Sequence, residues 1–485
     1  MLKRVKTALI ALHLYLGLAL CLVFVTWFAS GLAMVYYRTP VLTDAQRLAF
    51  SERLSASAAA AALSVAAVPS LRADWSRIDS LRFGQLLARP VYRWQLADGE
   101  RHNAWADDAT SPALGPGLLR GEAQRWFGVS AQVRYSGSVD AATQWSFFSD
   151  VRTHLPLHRF TSGGYWRRDV YFSSRTGEPV VATTPGTRLL YYLGPGLHYL
   201  SFYPIRNRDP LWRALVNWSA GIGALLCLTG AIVGLWRLRW NARGTSRRMI
   251  PHADRWMRWH HWSGLAFGGL ALSFVLSGLF SMNPAGMFPE TSVPAALQQA
   301  YRGPRPALSS LPAPAELLRS SSAKVREIDY SWVRGVPYAV TVGTPDERQL
   351  IARQGERWNP RPPFTERETL AQLGGLIAAP VSRVETLTGF DEQYYARKQR
   401  HRPLPALRVR LADADATWYY VEAVSGRLFL KSDSGTRARR WLYNGLHSFD
   451  FQMLLNRPWA WYLAIWAVSL CGLALSVTSS VIAWQ

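Results

Sequence analysis

His13-Leu-Tyr-Leu-Gly17-Leu18, followed by Ser30-Gly31-Leu32, returns later in the chain as His260-His261-Trp-Ser-Gly264-Leu265, followed by Ser277-Gly278-Leu279. Every matched position is separated by 247 residues. A second set repeats at a spacing of 249: Pro156 and Arg159 with Pro405 and Arg408, Tyr171 with Tyr420, Gly177 with Gly426, Gly196-Leu197-His198 with Gly445-Leu446-His447, and Trp212 with Trp461. Chance does not hold one spacing across so many polar and glycine positions, and such repetition decides the architecture before any local pattern is read. The chain reads as two copies of one unit: a span, an external domain, a short interfacial segment and a second span.

The His13 and His260 motifs each open a long apolar run. Runs at 8–36, 211–236, 260–282 and 458–484 exceed the ~20 residues needed to cross a hydrocarbon core, and Arg213 is their single charge. They predict a membrane protein: a four-transmembrane-helix bundle made from a duplicated unit. The first run follows Lys3, Arg4 and Lys6 as a signal peptide would, but it is too long for a signal peptide's apolar region and is read as an uncleaved span. Residues 237–259 form a short connection with seven arginines (237, 239, 243, 247, 248, 255 and 258), and such basic connections stay in the cytoplasm. Both termini are then cytoplasmic, and the long loops 38–210 and 283–457 lie outside as two α+β domains. Two copies in one orientation imply a pseudo-twofold axis along the membrane normal.

The chain's 55 Lys+Arg against 32 Asp+Glu give a formal charge of +23 over 485 residues, which raises the question of nucleic acid. The loops carry 20 basic against 14 acidic residues and 24 against 17, with no basic helix or arginine run, so the surface is evenly basic and no nucleic-acid partner is expected. Cys21, Cys227 and Cys471 all sit inside apolar runs, which excludes a disulfide scaffold, a Cys-rich zinc site and an iron–sulfur cluster. No Gly-x-Gly-x-x-Gly follows a strand, and there is no P-loop, Ser-His-Asp order or HExxH, so no nicotinamide, flavin or ATP site is evident.

Of ten histidines, two pairs recur, His13/His260 and His198/His447. An ionisable group in a membrane span is a functional candidate by default. The axis brings each histidine near its twin, the first pair toward the cytoplasmic face and the second toward the outer face. Gly17 and Gly264 stand one turn from their histidines on the same helix face, leaving room for something flat beside the imidazole; close helix packing is the other reading of these glycines. Two opposed imidazoles, apolar walls and a gap are what bis-histidine haem ligation requires.

At these residues the chain resembles the PepSY-associated transmembrane proteins. The likeness rests on the His-x-x-x-Gly-Leu start with its later Ser-Gly-Leu in spans one and three, and on Leu-His before spans two and four. In the loops, Tyr171-Phe-Ser-Ser-Arg-Thr-Gly177-Glu-Pro-Val-Val and Tyr419-Tyr-Val-Glu-Ala-Val-Ser-Gly426-Arg-Leu-Phe-Leu resemble the strand, Gly turn and strand of PepSY modules. Some members of that family are bacterial inner-membrane ferric-siderophore reductases of the FoxB type, with haem in the bundle. The resemblance implies two b-type haems, with His13, His260, His198 and His447 as axial ligands and Gly17 and Gly264 packing the macrocycle. His261, beside His260, is an alternative ligand. It also implies an oxidoreductase moving electrons from a cytoplasmic reductase or membrane quinol to a periplasmic ferric siderophore or other ferric chelate. Two other classes compete: a non-enzymatic, membrane-tethered PepSY binding or inhibitory platform, and a metal-ion transporter accessory using the histidines as relay ligands.

Overall fold

Four helices carry the four apolar runs in the computed structural model, which describes residues 1–485 apart from 165, 239–248, 322–323 and 398–400. They are α1 (Leu2–Met34), α2 (Asp209–Arg237), α3 (Arg255–Ser281) and α4 (Pro458–Trp484). At ~1.5 Å per residue each is longer than a ~30 Å hydrocarbon core. α1, α2 and α3 begin before their apolar stretches because polar flanks also make good helix ends. The Asp254 carboxylate accepts the Met257 amide proton at 2.8 Å and starts α3 five residues before His260. Pro210 and Pro458 sit in the first turns of α2 and α4, where a missing N–H is harmless. Part of the basic loop, with Arg239, Arg243, Arg247 and Arg248, lies outside the described residues.

The helical unit comprises 1–39, 186–289 and 436–485. Its centre is apolar, with Phe24, Phe28, Leu226, Ala271 and Val275 buried against one another. Ahead of α2 and α4, a single wide π-type turn (Tyr192–Gly196 and Arg440–Gly445) ends two residues before His198 and His447. The corners that follow are tied alike. Trp212 Nε1 donates to the Tyr199 carbonyl at 2.6 Å, and Trp461 Nε1 to the Ser448 carbonyl at 2.8 Å. The Tyr191 hydroxyl donates to Ser201 O, and an Arg440 guanidinium N–H to Asp450 O. Leu200 and Phe449 both adopt the left-handed conformation, with φ of 52° and 51°. Each of these residue pairs is 249 apart.

The second unit, 40–185 with 290–435, holds the sheets. Its strands in chain order are β1 (Ile78–Leu86), β2 (Arg89–Leu96), β3 (Arg101–Trp105), β4 (Val133–Val139), β5 (Leu157–Ser162), β6 (Arg168–Ser173) and β7 (Pro179–Thr183). Then follow β8 (Glu327–Val333), β9 (Val336–Val342), β10 (Arg348–Gln354), β11 (Arg357–Pro360), β12 (Val381–Leu387), β13 (Ala406–Leu411), β14 (Trp418–Glu422) and β15 (Leu428–Ser432). Two four-stranded antiparallel sheets run in chain order, β4–β7 and β12–β15, and a seven-stranded sheet has the order β11-β10-β9-β8-β1-β2-β3. That last sheet corrects the division of 38–210 and 283–457 into two separate domains. β1 pairs antiparallel with β8 (Leu81 with Tyr330, Phe83 with Ile328), so the two loops share one sheet. The physical reason is the edge: each strand carries buried apolar side chains, and pairing removes two exposed hydrogen-bonding edges at once. The segments 186–208 and 436–457 belong with the helices.

Across that junction lies a buried charge network. Arg47 reaches Glu178 at 2.8 Å and Glu327 at 2.9 Å, and Arg82 reaches the same two carboxylates at 3.1 and 2.5 Å. Burial pushes both carboxyls up, but the guanidiniums outweigh it: Arg82, Arg47 and Arg93 hold Glu178 well below the usual range, and Arg47 and Arg82 hold Glu327 below it. Depressed carboxyls stabilise the fold above the unfolded glutamate pKa of about 4.3 and lose that contribution as pH falls toward the folded values. Glu327→Ala is expected to destabilise the protein by roughly 1.5–3 kcal/mol, because it removes charge-assisted bonds to two half-buried guanidiniums and leaves Glu178 to serve both. Its unfolding midpoint in detergent should also lose much of the wild type's fall below pH 4.3. A loss under about 1 kcal/mol would show that the network holds nothing together.

Candidate functional site

The bundle brings together the histidines that recur in the sequence. The rings of His13 on α1 and His260 on α3 have centroids 6.3 Å apart at 32°. Those of His198 and His447, in the segments leading to α2 and α4, are 6.1 Å apart at 59°. The second pair lines a cavity together with Trp27, Gly31, Arg38, Phe274 and Gly278. His261 is not interchangeable with His260. Its Nε2 donates to the Gly234 carbonyl at 2.8 Å and its ring lies 5.4 Å from that of His252, away from His13.

Each paired imidazole is held through Nδ1. His13 Nδ1 meets the Leu226 carbonyl at 3.3 Å, His198 Nδ1 the Trp27 carbonyl at 3.2 Å, and His447 Nδ1 the Phe274 carbonyl at 3.0 Å. A carbonyl only accepts, so the proton is on Nδ1 and the lone pair on Nε2. His260 Nδ1 meets the Thr478 hydroxyl at 3.2 Å, whose own proton goes to Leu475 O at 2.7 Å, which again makes Nδ1 the donor. The four rings therefore carry the same tautomer.

One local pattern on each helix receives one ring. Three residues after the carbonyl stands a hydroxyl, and after it a glycine or serine: Trp27 with Ser30-Gly31, Leu226 with Thr229-Gly230, Phe274 with Ser277-Gly278, and Leu475 with Thr478-Ser479. The hydroxyl donates back to that carbonyl at 3.1, 3.0, 3.1 and 2.7 Å respectively. The glycines are notches for imidazole: a Cβ on Gly31 would lie 3.7 Å from His198, on Gly278 3.1 Å from His447, and on Gly230 2.7 Å from His13.

Gly17 and Gly264 do not touch an imidazole. A Cβ on Gly17 would meet Leu226 and Ser479 at 4.0 Å, and on Gly264 only Leu475 at 3.9 Å. One turn along the same helix shares a face with the histidine, but the ring leans onto the neighbouring helix, so its notch is on that neighbour. The sequence signal for the true notches was available, since Ser30-Gly31 and Ser277-Gly278 recur at 247, and Thr229 and Thr478 at 249. Among the described residues no three His, Cys, Asp or Glu side chains gather to hold a metal ion.

The sequence profile of a family described as "PepSY-associated TM region" matches residues 10–485. A search of curated proteins found no match to this chain.

The notches make a graded prediction. Leucine at Gly230 or Gly278 must displace an imidazole, and overpacking of this kind costs about 1–3 kcal/mol. At Gly17 or Gly264 the first added carbon meets only ordinary contacts. Thermal unfolding of the four detergent-purified variants should show the lower midpoints for Gly230→Leu and Gly278→Leu; the reverse order would contradict the notch assignment.

Proposed function

The chain belongs to the PepSY-associated transmembrane family, and from that membership and its paired imidazoles we propose that it is a two-haem electron-transfer protein of the bacterial inner membrane. In this reading it passes electrons outward to reduce ferric siderophores or other ferric chelates. His13 and His260 hold one b-type haem, and His198 and His447 hold the other. The duplicated unit, repeated at 247 and 249, supplies one ligand of each pair from each copy.

The observation that carries this reading is the pair geometry. An imidazole nitrogen sits ~2 Å from a metal it ligates, and two rings on opposite sides of one metal have centroids about 6 Å apart. Separations of 6.3 and 6.1 Å agree with that arrangement. The tautomer agrees too, because Nδ1–H bonded to a carbonyl leaves the Nε2 lone pair for iron and raises its basicity. The notches and the cavity between apolar and aromatic walls leave space beside the rings, and Arg38 in that cavity supplies positive charge for a porphyrin carboxylate. When bound, a bis-imidazole haem supplies one-electron transfer. The chain's residues hold, orient and insulate it. A tethered PepSY platform gives no reason for matched imidazoles at two levels, and a metal relay is less supported because the four apolar runs hold no carboxylate to partner them.

The short basic connections argue for cytoplasmic termini, with the His198/His447 pair toward the periplasm. A quinol or a cytoplasmic reductase is then the donor at the His13/His260 level. Reduction releases iron because Fe(II) binds oxygen ligands more weakly than Fe(III).

The purified protein should show a Soret band with split α/β bands on dithionite reduction. His13→Ala and His260→Ala should lose the same haem, and His198→Ala and His447→Ala the other. A colourless protein from haem-supplemented cells overturns the reading, and loss of different haems within one pair overturns the pairing. In sealed right-side-out vesicles, impermeant ferric chelates should oxidise the prereduced protein, more slowly after His198→Ala or His447→Ala. Reaction from the cytoplasmic side alone would reverse the direction of flow.

A further inference from the structure

We propose that four buried hydroxyls, those of Ser30, Thr229, Ser277 and Thr478, are positioning residues that set the orientation and electron-donor strength of the four imidazoles, and through them the redox potentials of the two groups. The inference rests on the bis-imidazole reading above. Its physical basis is the arrangement of protons. Ser30, Ser277 and Thr478 each spend their single proton on the carbonyl three residues earlier, so their oxygens are left to accept, whereas the Thr229 proton lies between Leu226 O at 3.0 Å and Leu225 O at 2.9 Å. His198 Nδ1–H lies between Ser30 Oγ at 3.1 Å and Trp27 O at 3.2 Å, and His447 Nδ1–H between Ser277 Oγ at 3.4 Å and Phe274 O at 3.0 Å. Thr478 Oγ1 takes the His260 proton directly, whereas Thr229 acts through Leu226 O, which it shares with His13.

The hydroxyl residues are 1, 2, 1 and 9 % exposed in the order Ser30, Thr229, Ser277, Thr478, so water does not replace one that is removed. An acceptor on Nδ1–H pushes electron density to Nε2, which favours the oxidised metal; partners of this kind orient and tune ligands. Serine and threonine also bond backwards within helices for purely local reasons. A potential distinguishes the two roles, because local back-bonding alone leaves it unmoved.

The experiment uses the full chain loaded with haem, with Ser30→Ala, Ser277→Ala and the shape-conserving Thr229→Val and Thr478→Val. Spectroelectrochemical titration should show Ser30→Ala and Ser277→Ala raising the same one of two midpoint potentials. Thr478→Val should raise the other, with Thr229→Val moving that one less, and Ser30→Thr should restore the wild-type value. Unchanged potentials with the bis-histidine spectrum retained overturn the proposal, as does one group responding to both Ser30→Ala and Thr478→Val. In haem-free protein labelled with 15N-histidine, the Nδ1 resonances of His198 and His447 should move in the alanine variants. Stationary resonances overturn the positioning role itself. Wild-type protein without haem overturns the functional reading, and with it the part that concerns potentials.

Discussion

An imidazole N–H in hydrocarbon must find an acceptor, since no water is there to supply one. In a bundle of apolar helices the available acceptors are backbone carbonyls, each already receiving the amide four residues on. Their second lone pair is reachable only where the side chain beyond it is small. Gly31, Gly230 and Gly278 meet that need, four residues after Trp27, Leu226 and Phe274. This requirement fixes much else. It sets the tautomer, brings α1 against α2 through His13, and brings α3 against α4 through His260. It also draws the segments carrying His198 and His447 onto α1 and α3. The wide turns at Tyr192–Gly196 and Arg440–Gly445 are the local cost of bringing those rings inward.

The spans and the histidine pairs were legible because both are periodic or repeated features of one chain. Length and hydropathy marked four helices to within a few residues, with the largest misses at the starts of α1, which already begins at Leu2, and of α3, where the Asp254 cap adds a polar turn that hydropathy cannot see. The spacing of 247 singled out His260 over His261, and the bundle faces His260, not His261, toward His13. What the spacing did not reveal was which helix receives each ring. The i,i+4 logic that singles out Gly17 and Gly264 describes one helix, whereas each ring rests against a second, beside Gly31, Gly230 or Gly278. The hydroxyls were equally visible and equally unread, because serine and threonine in spans usually mean only local back-bonding.

The shared sheet was illegible for a different reason. Strand character can be read from alternation, but the partner of an edge strand is a nonlocal fact, and β1 and β8 lie about 250 residues apart. Local signals therefore suggested two domains. The network of Arg47, Arg82, Glu178 and Glu327 joins the same two halves without following the repeat: 249 residues beyond Glu178 stands Arg427. The paired imidazoles follow the repeat in the sequence, while the charges at the junction of the shared sheet do not. A self-pairing of identical charges would repel.

The two levels of the bundle also differ, and the difference bears on the proposed electron flow. His198 and His447 each face a carbonyl and a hydroxyl, whereas His13 faces a single carbonyl. Acceptors alone would make the His198/His447 group the better stabiliser of oxidised iron and oppose outward transfer. Arg38 acts the other way, since a positive charge lining that cavity favours the reduced, less positive metal. Its coulombic effect is strongest where the surroundings are apolar, as they are beside Trp27 and Phe274. With haem bound at both levels, the balance of these two terms would set how far an intramolecular step could run. In the proposed reading the strongest pull would come from a ferric acceptor outside, whose iron, once reduced, would leave its ligand and not return the electron.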